Sequence, residues 1–256
     1  MKIISIANQK GGVAKTTTAI TLAHGLAMAG KRILLVDLDP QGHVAVSLGL
    51  EKSPGLHDLI CEHKPLSQVI VTARPNLDLL PGDKRTEKVK REIVLSDYRD
   101  SALRDIFKKS PYDVILLDLA PSLDVLHVSG LIASNWVVIP TRLDALAVDG
   151  VQEVLLTLAE FSRRGHRLEG YCILPTFFDR TTRETYLQFR DLVDAFGNRV
   201  WPPIPQDTRV RESPSYGLTI WEYAPSCVAI RGFKDKQART GGYRATLQKL
   251  IEVIDG

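Results

Sequence analysis

The chain has 256 residues, with 33 Lys or Arg against 30 Asp or Glu and a formal charge of +3. Apolar residues make up 44% and charged residues 25%, with 18 Gly and 14 Pro, which fits an ordinary globular protein and excludes collagen-like, low-complexity and disordered chains. Cys61, Cys172 and Cys227 are widely separated and form no CxxC pair, which argues against a zinc site or a disulfide framework and for buried thiols in a reducing compartment.

Taken in chain order, Lys2–Ala7 (KIISIA) reads as a strand, Thr16–Ala29 as a helix and Ile33–Val36 as a second strand. Val69–Val71 and Leu77–Leu80 suit a strand pair toward one edge. Helical spacing returns over Ser101–Lys109, Ala147–Arg163 and Thr182–Ala195, and it alternates with strands at Val114–Leu117, Trp136–Ile139 and Tyr171–Leu174. These strands are short, continuous and aliphatic, as strands are when helices cover both faces of a parallel sheet. The alternation predicts an α/β fold, a doubly wound and mostly parallel sheet flanked by helices. No repeat or linker divides the sequence, so residues 1–256 are expected to form a single domain.

The first strand runs into Asn8-Gln9-Lys10-Gly11-Gly12-Val13-Ala14-Lys15-Thr16-Thr17-Thr18 and then a helical pattern. Glycines between a strand and a helix let successive backbone N–H groups turn inward on a phosphate chain, and the helix N-terminus adds positive potential. Lys15 supplies a cation for the β- and γ-phosphates, and Thr16 a hydroxyl for Mg²⁺. The strict pattern G-x-x-x-x-G-K-[ST] is not met, because Gln9 and Ala14 stand where it has glycines. The second strand ends in Asp37-Leu38-Asp39-Pro40-Gln41-Gly42, and the strand YDVILLD ends in Asp118. Carboxyl ends of adjacent parallel strands face one crevice, so these carboxylates are expected to point toward a bound triphosphate.

The segments KGGVAKTTT, DLDPQG, VILLDLAPS and IPQDTRVRESPSYG resemble, in order, the signatures of the ParA/MinD group of deviant Walker A P-loop ATPases. The chain is most similar to the small, Soj-like ParA type of chromosome and plasmid partitioning. The resemblance implies ATP and Mg²⁺ as cofactors and an ATP-bound sandwich homodimer. It implies that Lys10 reaches the partner's nucleotide, that Lys15 acts on the phosphates in cis, and that Asp39 positions the attacking water. Gly11, Gly12, Val13, Ala14 and Thr17 would line the phosphates with Lys10, Lys15 and Thr16. Thr16 would ligate Mg²⁺ and Asp118 would hold it through water. Phe178, Pro205 and Asp207 correspond to the adenine pocket. The chain departs from the group's pattern at Ala14 (usually Gly), Asp207 (Asn), Gln206 (Arg), Ala120 (Pro) and His43 (Asn), so binding is expected to survive with altered turnover.

Charge is unevenly spread. Arg231 to Lys249 holds six basic residues and one acidic residue, Asp235, and six arginines fall between Arg163 and Arg190. Such strips neutralise phosphate backbones in a salt-dependent, sequence-independent way, although solvated helix faces also carry charge runs. The resemblance assigns Arg209 to nonspecific DNA, with Arg211, Arg180, Arg183, Arg231 and Lys234 as further candidates. The small ParA type lacks a helix-turn-helix domain, so the ATPase surface itself is expected to meet DNA without much sequence preference. A ParB-like centromere-binding protein would then stimulate hydrolysis and release. The same cycle serves protein cargo, such as a carboxysome or chemosensory cluster, through a cargo adaptor, and a nucleotide-gated scaffold that scarcely hydrolyses ATP is a third reading.

No apolar run reaches the roughly 18 residues of a membrane span, and the N-terminal segment is too short for a secretory signal. A cytoplasmic, nucleoid-associated protein is therefore expected. A MinD-like membrane helix is the remaining alternative at YRATLQKLIEVIDG. Leu247, Leu250, Ile251 and Ile254 there have helical spacing, yet Glu252 and Asp255 follow the last basic residue, Lys249. Packing onto the sheet is the expected fate. His24, His57, His63, His127 and His166 stand apart from every motif and are expected to be structural or superficial.

Overall fold

Strands β1 (Lys2–Ile6), β2 (Ile33–Asp37), β3 (Val71–Arg74), β4 (Leu77–Leu80), β5 (Val114–Asp118), β6 (Trp136–Arg142) and β7 (Gly170–Thr176) form one sheet. Their order is β3-β4-β2-β5-β1-β6-β7, and only β3 runs antiparallel to its neighbour. The computed structural model describes residues 1–95, 102–108, 110–234 and 239–256. The longer helices are α1 (Lys15–Met28), α2 (Thr86–Leu95), α3 (Val125–Ala133), α4 (Ala147–Arg163), α5 (Arg183–Phe196) and α6 (Gly242–Asp255). A two-stranded ribbon pairs β8 (Phe233–Lys234) with β9 (Arg239–Thr240).

Successive strand residues face opposite sides, so each strand feeds two cores. Leu34, Val36, Ile115, Leu117, Val137 and Ile139 pack with α2, α3 and α4 on one face. Ile33, Leu35, Val114, Leu116 and Val138 pack with α1 and α6 on the other. Every residue of β2 and β5 is buried. Each such aliphatic side chain contributes about 1.5–3 kcal/mol on leaving water. This is the mostly parallel, doubly covered sheet that the apolar runs predict.

The differences are local. β6 and β7 run past Pro140 and Pro175, where the apolar runs alone suggested ends. β1 pairs with β6 only as far as Val138 and β7 is an edge, so neither proline removes a needed ladder bond. Leu66–Val69 is helical, which moves the edge strand to Val71. Of the expected helix Ser101–Lys109, Ala102–Phe107 is helical, and Ser101 and Lys109 lie outside the described residues, as do Asp235 and Lys236. α6 lays Tyr243, Thr246 and Leu250 inward, with Leu247, Ile251 and Ile254 packed alongside, as its spacing predicts. Among the described residues no helix is long and apolar enough to cross a membrane.

The register matters most for function. Asp118 lies opposite Ile6 on one side and Asp37 on the other. The carboxyl ends of β1, β5 and β2 therefore finish at one level, beside the N-terminus of α1.

Candidate nucleotide-binding site

The loop from Ala7 to Ala14 is fixed from below. Ala7 N–H donates to the Val138 carbonyl at 3.0 Å, and the buried Asn8 side chain spans two segments. Its Nδ2 donates to the Pro140 carbonyl at 2.8 Å, and its Oδ1 accepts the Lys10 N–H at 2.9 Å. Thr176 Oγ1 donates to the Val13 carbonyl at 3.3 Å, tying the loop to the end of β7. Gly12 has φ +71°, a conformation glycine adopts without strain. Nothing lies within 4 Å of where a Cβ would stand on Gly11 or Gly12, so the backbone faces open space over both residues. Ala14 follows at φ 68°, ψ 34°, left-handed despite its methyl group, and it ends the loop as the cap of α1.

Lys15 is only 8% exposed, and its Nζ donates to the Lys10 carbonyl at 2.8 Å. Burial lowers its pKa, while Asp118 and Asp39 oppose that change. Asp118 is wholly buried, and its Oδ1 has no hydrogen-bond partner. Burial pushes its carboxyl up to about 7, against the Thr16 hydroxyl and the Lys15 ammonium. The buried, unpartnered oxygen beside a lysine and a threonine hydroxyl is the arrangement a hydrated divalent cation would satisfy. Among the described residues no group of three His, Cys, Asp or Glu gathers to hold a metal by protein ligands alone. That suits Mg²⁺, which keeps several waters and takes one or two protein oxygens beside substrate phosphates.

Asp37 and Asp39 do different jobs, although both were expected to face the triphosphate. Asp37 is fully buried and accepts the Asp39 N–H at 3.0 Å and the Val44 N–H at 3.2 Å. Burial and then Asp118 raise its pKa well above the carboxylate range. It therefore folds the DLDPQG turn, and Asp39 is the half-buried carboxylate left at the rim, accepting the Gln41 N–H at 2.8 Å.

Lys10 reaches outward and meets Asp144 in the same chain, with Nζ 2.6 Å and 2.8 Å from the two carboxylate oxygens. Asp144 was not foreseen. The signal available was another acid just past a strand end, 134 residues from its partner. Asn8 was included in the loop segment but given no role.

Phe178 and Pro205 meet through an isolated bridge between the end of β7 and the 200–206 segment. Asp207 and Arg209, assigned to adenine and to DNA, hold each other. Asp207 Oδ1 accepts Arg209 N–H and Nε–H, and Oδ2 accepts Nη2–H at 2.9 Å. The Val228 N–H also donates to Oδ2, at 3.1 Å. Arg180 is exposed, with its guanidinium 4.0 Å above the Phe233 ring, next to Lys234. Arg231 donates to Ser226 Oγ at 2.6 Å. Arg183 and Arg211 are exposed.

A strand, a glycine-turned loop and a helix carrying Lys-Thr against buried strand-end acids define a P-loop nucleoside triphosphatase. The AAA domain family model matches residues 1–169. The chromosome-partitioning ATPase Soj of Thermus thermophilus is 38% identical over 234 residues, 90% of this chain and 92% of that one. The chromosome partitioning protein ParA of Caulobacter vibrioides is 34% identical over 245 residues, 91% of each chain. The chain belongs to this family, the Soj/ParA-type partitioning ATPases. Among solved structures, cobyrinic acid a,c-diamide synthase of Mycobacterium smegmatis, with a bound ATP analogue and magnesium, is similar at a TM-score of 0.74 and 30% identity, covering 85% of this chain and 93% of that one.

Proposed function

We propose that this single domain is a DNA-partitioning ATPase that uses Mg²⁺ and ATP, dimerises around the nucleotide, and carries DNA on its own ATPase surface. The observation that supports the chemistry most directly is the buried, unpartnered Asp118 Oδ1 beside Thr16 and Lys15. Mg²⁺ bound with the triphosphate supplies charge neutralisation at the transferring phosphoryl group.

Lys15 moves from the Lys10 carbonyl to the β- and γ-phosphate oxygens, a short swing for a flexible side chain. Thr16 would hold the metal through its hydroxyl, and Asp118 would hold it through water. Backbone N–H groups of Gly11, Gly12, Val13 and Ala14 cradle phosphate oxygens, with Thr17 next along α1. Asp39 orients the attacking water from the rim. Phe178 and Pro205 flank the adenine, and Asp207 lies at its edge.

Lys10 is the residue that links hydrolysis to assembly. In the single chain its charge is satisfied by Asp144, and in the dimer it crosses to the partner's nucleotide. Hydrolysis leaves ADP and releases the γ-phosphate, which weakens that anionic target, and Lys10 returns to Asp144. A DNA-bound ParB-like protein stimulates hydrolysis and so releases the dimer from the nucleoid. The packed state of α6 favours this reading over membrane attachment.

The test is the Lys10→Ala variant. Monomeric ATP binding should persist within about threefold, while ATP-dependent dimerisation disappears from size-exclusion chromatography, because the Lys10 ammonium acts on the partner's nucleotide and within its own chain pairs with Asp144. A variant that still dimerised with ATP would overturn the role of Lys10.

A further inference from the structure

His127 lies on the first turn of α3 at 2% exposure, with its backbone N–H on the cap residue Asp124. Its Nδ1 is 2.9 Å from the Ala120 carbonyl oxygen. A carbonyl only accepts, so Nδ1 carries the proton and donates. Burial lowers the ring's pKa, against the Ala120 bond and Asp124 and with help from the Lys15 ammonium, so the imidazole is neutral. Nε2 is then an acceptor, and it has no hydrogen-bond partner. Leaving an acceptor buried and unmet forfeits its hydration without replacement. A tie to Ala120 alone would not require that cost, since an asparagine amide can donate the same bond.

The position of the ring gives the second nitrogen a use. Ala120 is two residues beyond Asp118, and Leu119 N–H between them donates to the Ile6 carbonyl at 3.3 Å. Pro121, Ser122 and Leu123 are exposed, and the chain is caught again at Asp124. There the carboxylate accepts Ser122 Oγ–H at 2.7 Å and pairs with Lys90 of α2 at 2.8 Å. His127 thus fastens the base of the loop that leaves Asp118, where the Lys15 ammonium disfavours a second positive charge.

We propose that His127 is a positioning residue for ATP hydrolysis, fixing the Ala120 carbonyl through Nδ1–H and accepting on Nε2 a hydrogen bond from a water of the nucleotide-filled site. The inference rests on the ATPase reading above. It ties the ring to the segment that leaves Asp118, so that loop geometry and site water are set together.

The experiment compares the wild-type chain with His127→Asn and His127→Gln by single-turnover hydrolysis of Mg²⁺-ATP, binding of a fluorescent ATP analogue and thermal melting. Asn retains an N–H for Ala120 but has nothing at the Nε2 position. It should bind the analogue within about threefold and melt near the wild type, yet turn over about tenfold more slowly, as misplacement of a reacting group predicts. Gln, whose amide reaches the Nε2 position, should recover part of that loss. The proposal is overturned if Asn turns over within about twofold of the wild type, or if affinity falls in proportion to turnover in both variants. A wild-type chain without turnover would overturn the ATPase reading and this proposal together, whereas an active wild type with an equally active Asn variant removes the His127 role alone.

Discussion

Ala14 holds φ 68° at the cap of α1, a region where a Cβ crowds the following carbonyl oxygen. An alanine there costs about 1 kcal/mol relative to glycine, because the native conformation, not the unfolded chain, dominates at positive φ. The strain persists where the loop has open space over Gly11 and Gly12. Ala14→Gly should therefore raise the urea midpoint by an amount equivalent to about 1 kcal/mol at unchanged slope. The same change loosens the loop, so turnover should shift while ATP affinity stays within about threefold. A lower urea midpoint for the glycine variant would show that the methyl group is stabilising. The P-loop lysine, the hydroxyl and the strand-end acids were all legible as residues, since they adjoin glycines or end an apolar run. What the sequence could not show was the division of labour between Asp37 and Asp39, which depends on which carboxylate the turn encloses.

Among the elements, the buried strands were the most legible. Strands covered on both faces have no polar face, and so read as unbroken aliphatic runs. α3 went unread for the same reason. VLHVSGLIA is apolar nearly all round, with Leu126, His127, Ser129, Gly130 and Leu131 buried, so it lacks the polar stripe that marks a surface helix. The pairing of Asp207 with Arg209 was hidden because the two, although in one signature, were assigned to different ligands. In the fold, Asp207 caps the helix Thr208–Glu212 and also accepts the first N–H of the helix Val228–Arg231, joining two short helices that are too small to persist alone. Burial tends to raise the Asp207 carboxyl, but the Arg209 guanidinium and N–H outweigh it and hold the pKa below its usual range. A carboxylate depressed on folding stabilises the fold above its unfolded pKa, and that contribution is lost as pH falls through the folded value. Asp207→Asn should then cost about 2 kcal/mol near neutral pH. In urea unfolding the gap to the wild type should close as pH drops below about 4. A gap independent of pH would mean that the lost bond to Val228, rather than the charge, was responsible.

Over the whole molecule, the +3 formal charge conceals a spatial separation. The acidic strand ends meet at the phosphate loop, and the basic candidates are brought together from distant segments by three contacts. Arg180 stacks on Phe233 beside Lys234, Asp207 links Arg209 to Val228, and Arg231 closes the same helix onto Ser226. These contacts involve four of the six assigned cations, Arg180, Arg209, Arg231 and Lys234, drawn from residues 180 to 234. Two of the four differ in kind. Arg209 already spends its guanidinium on Asp207, so its charge is partly cancelled, whereas Lys234 is exposed at the start of the ribbon. If this surface carries DNA by backbone charge alone, each cation that neutralises a phosphate adds close to one unit to the salt slope of binding. The ATP-bound protein should bind unrelated duplex sequences with similar affinity, and log affinity should fall linearly with log salt. Lys234→Ala should then reduce the slope by about 1 and weaken binding to every sequence alike. Arg209→Ala should reduce it less and also lower stability, because it leaves Asp207 buried without its counter-charge. A salt-independent affinity, or a slope untouched by Lys234→Ala, would locate the DNA elsewhere on the molecule.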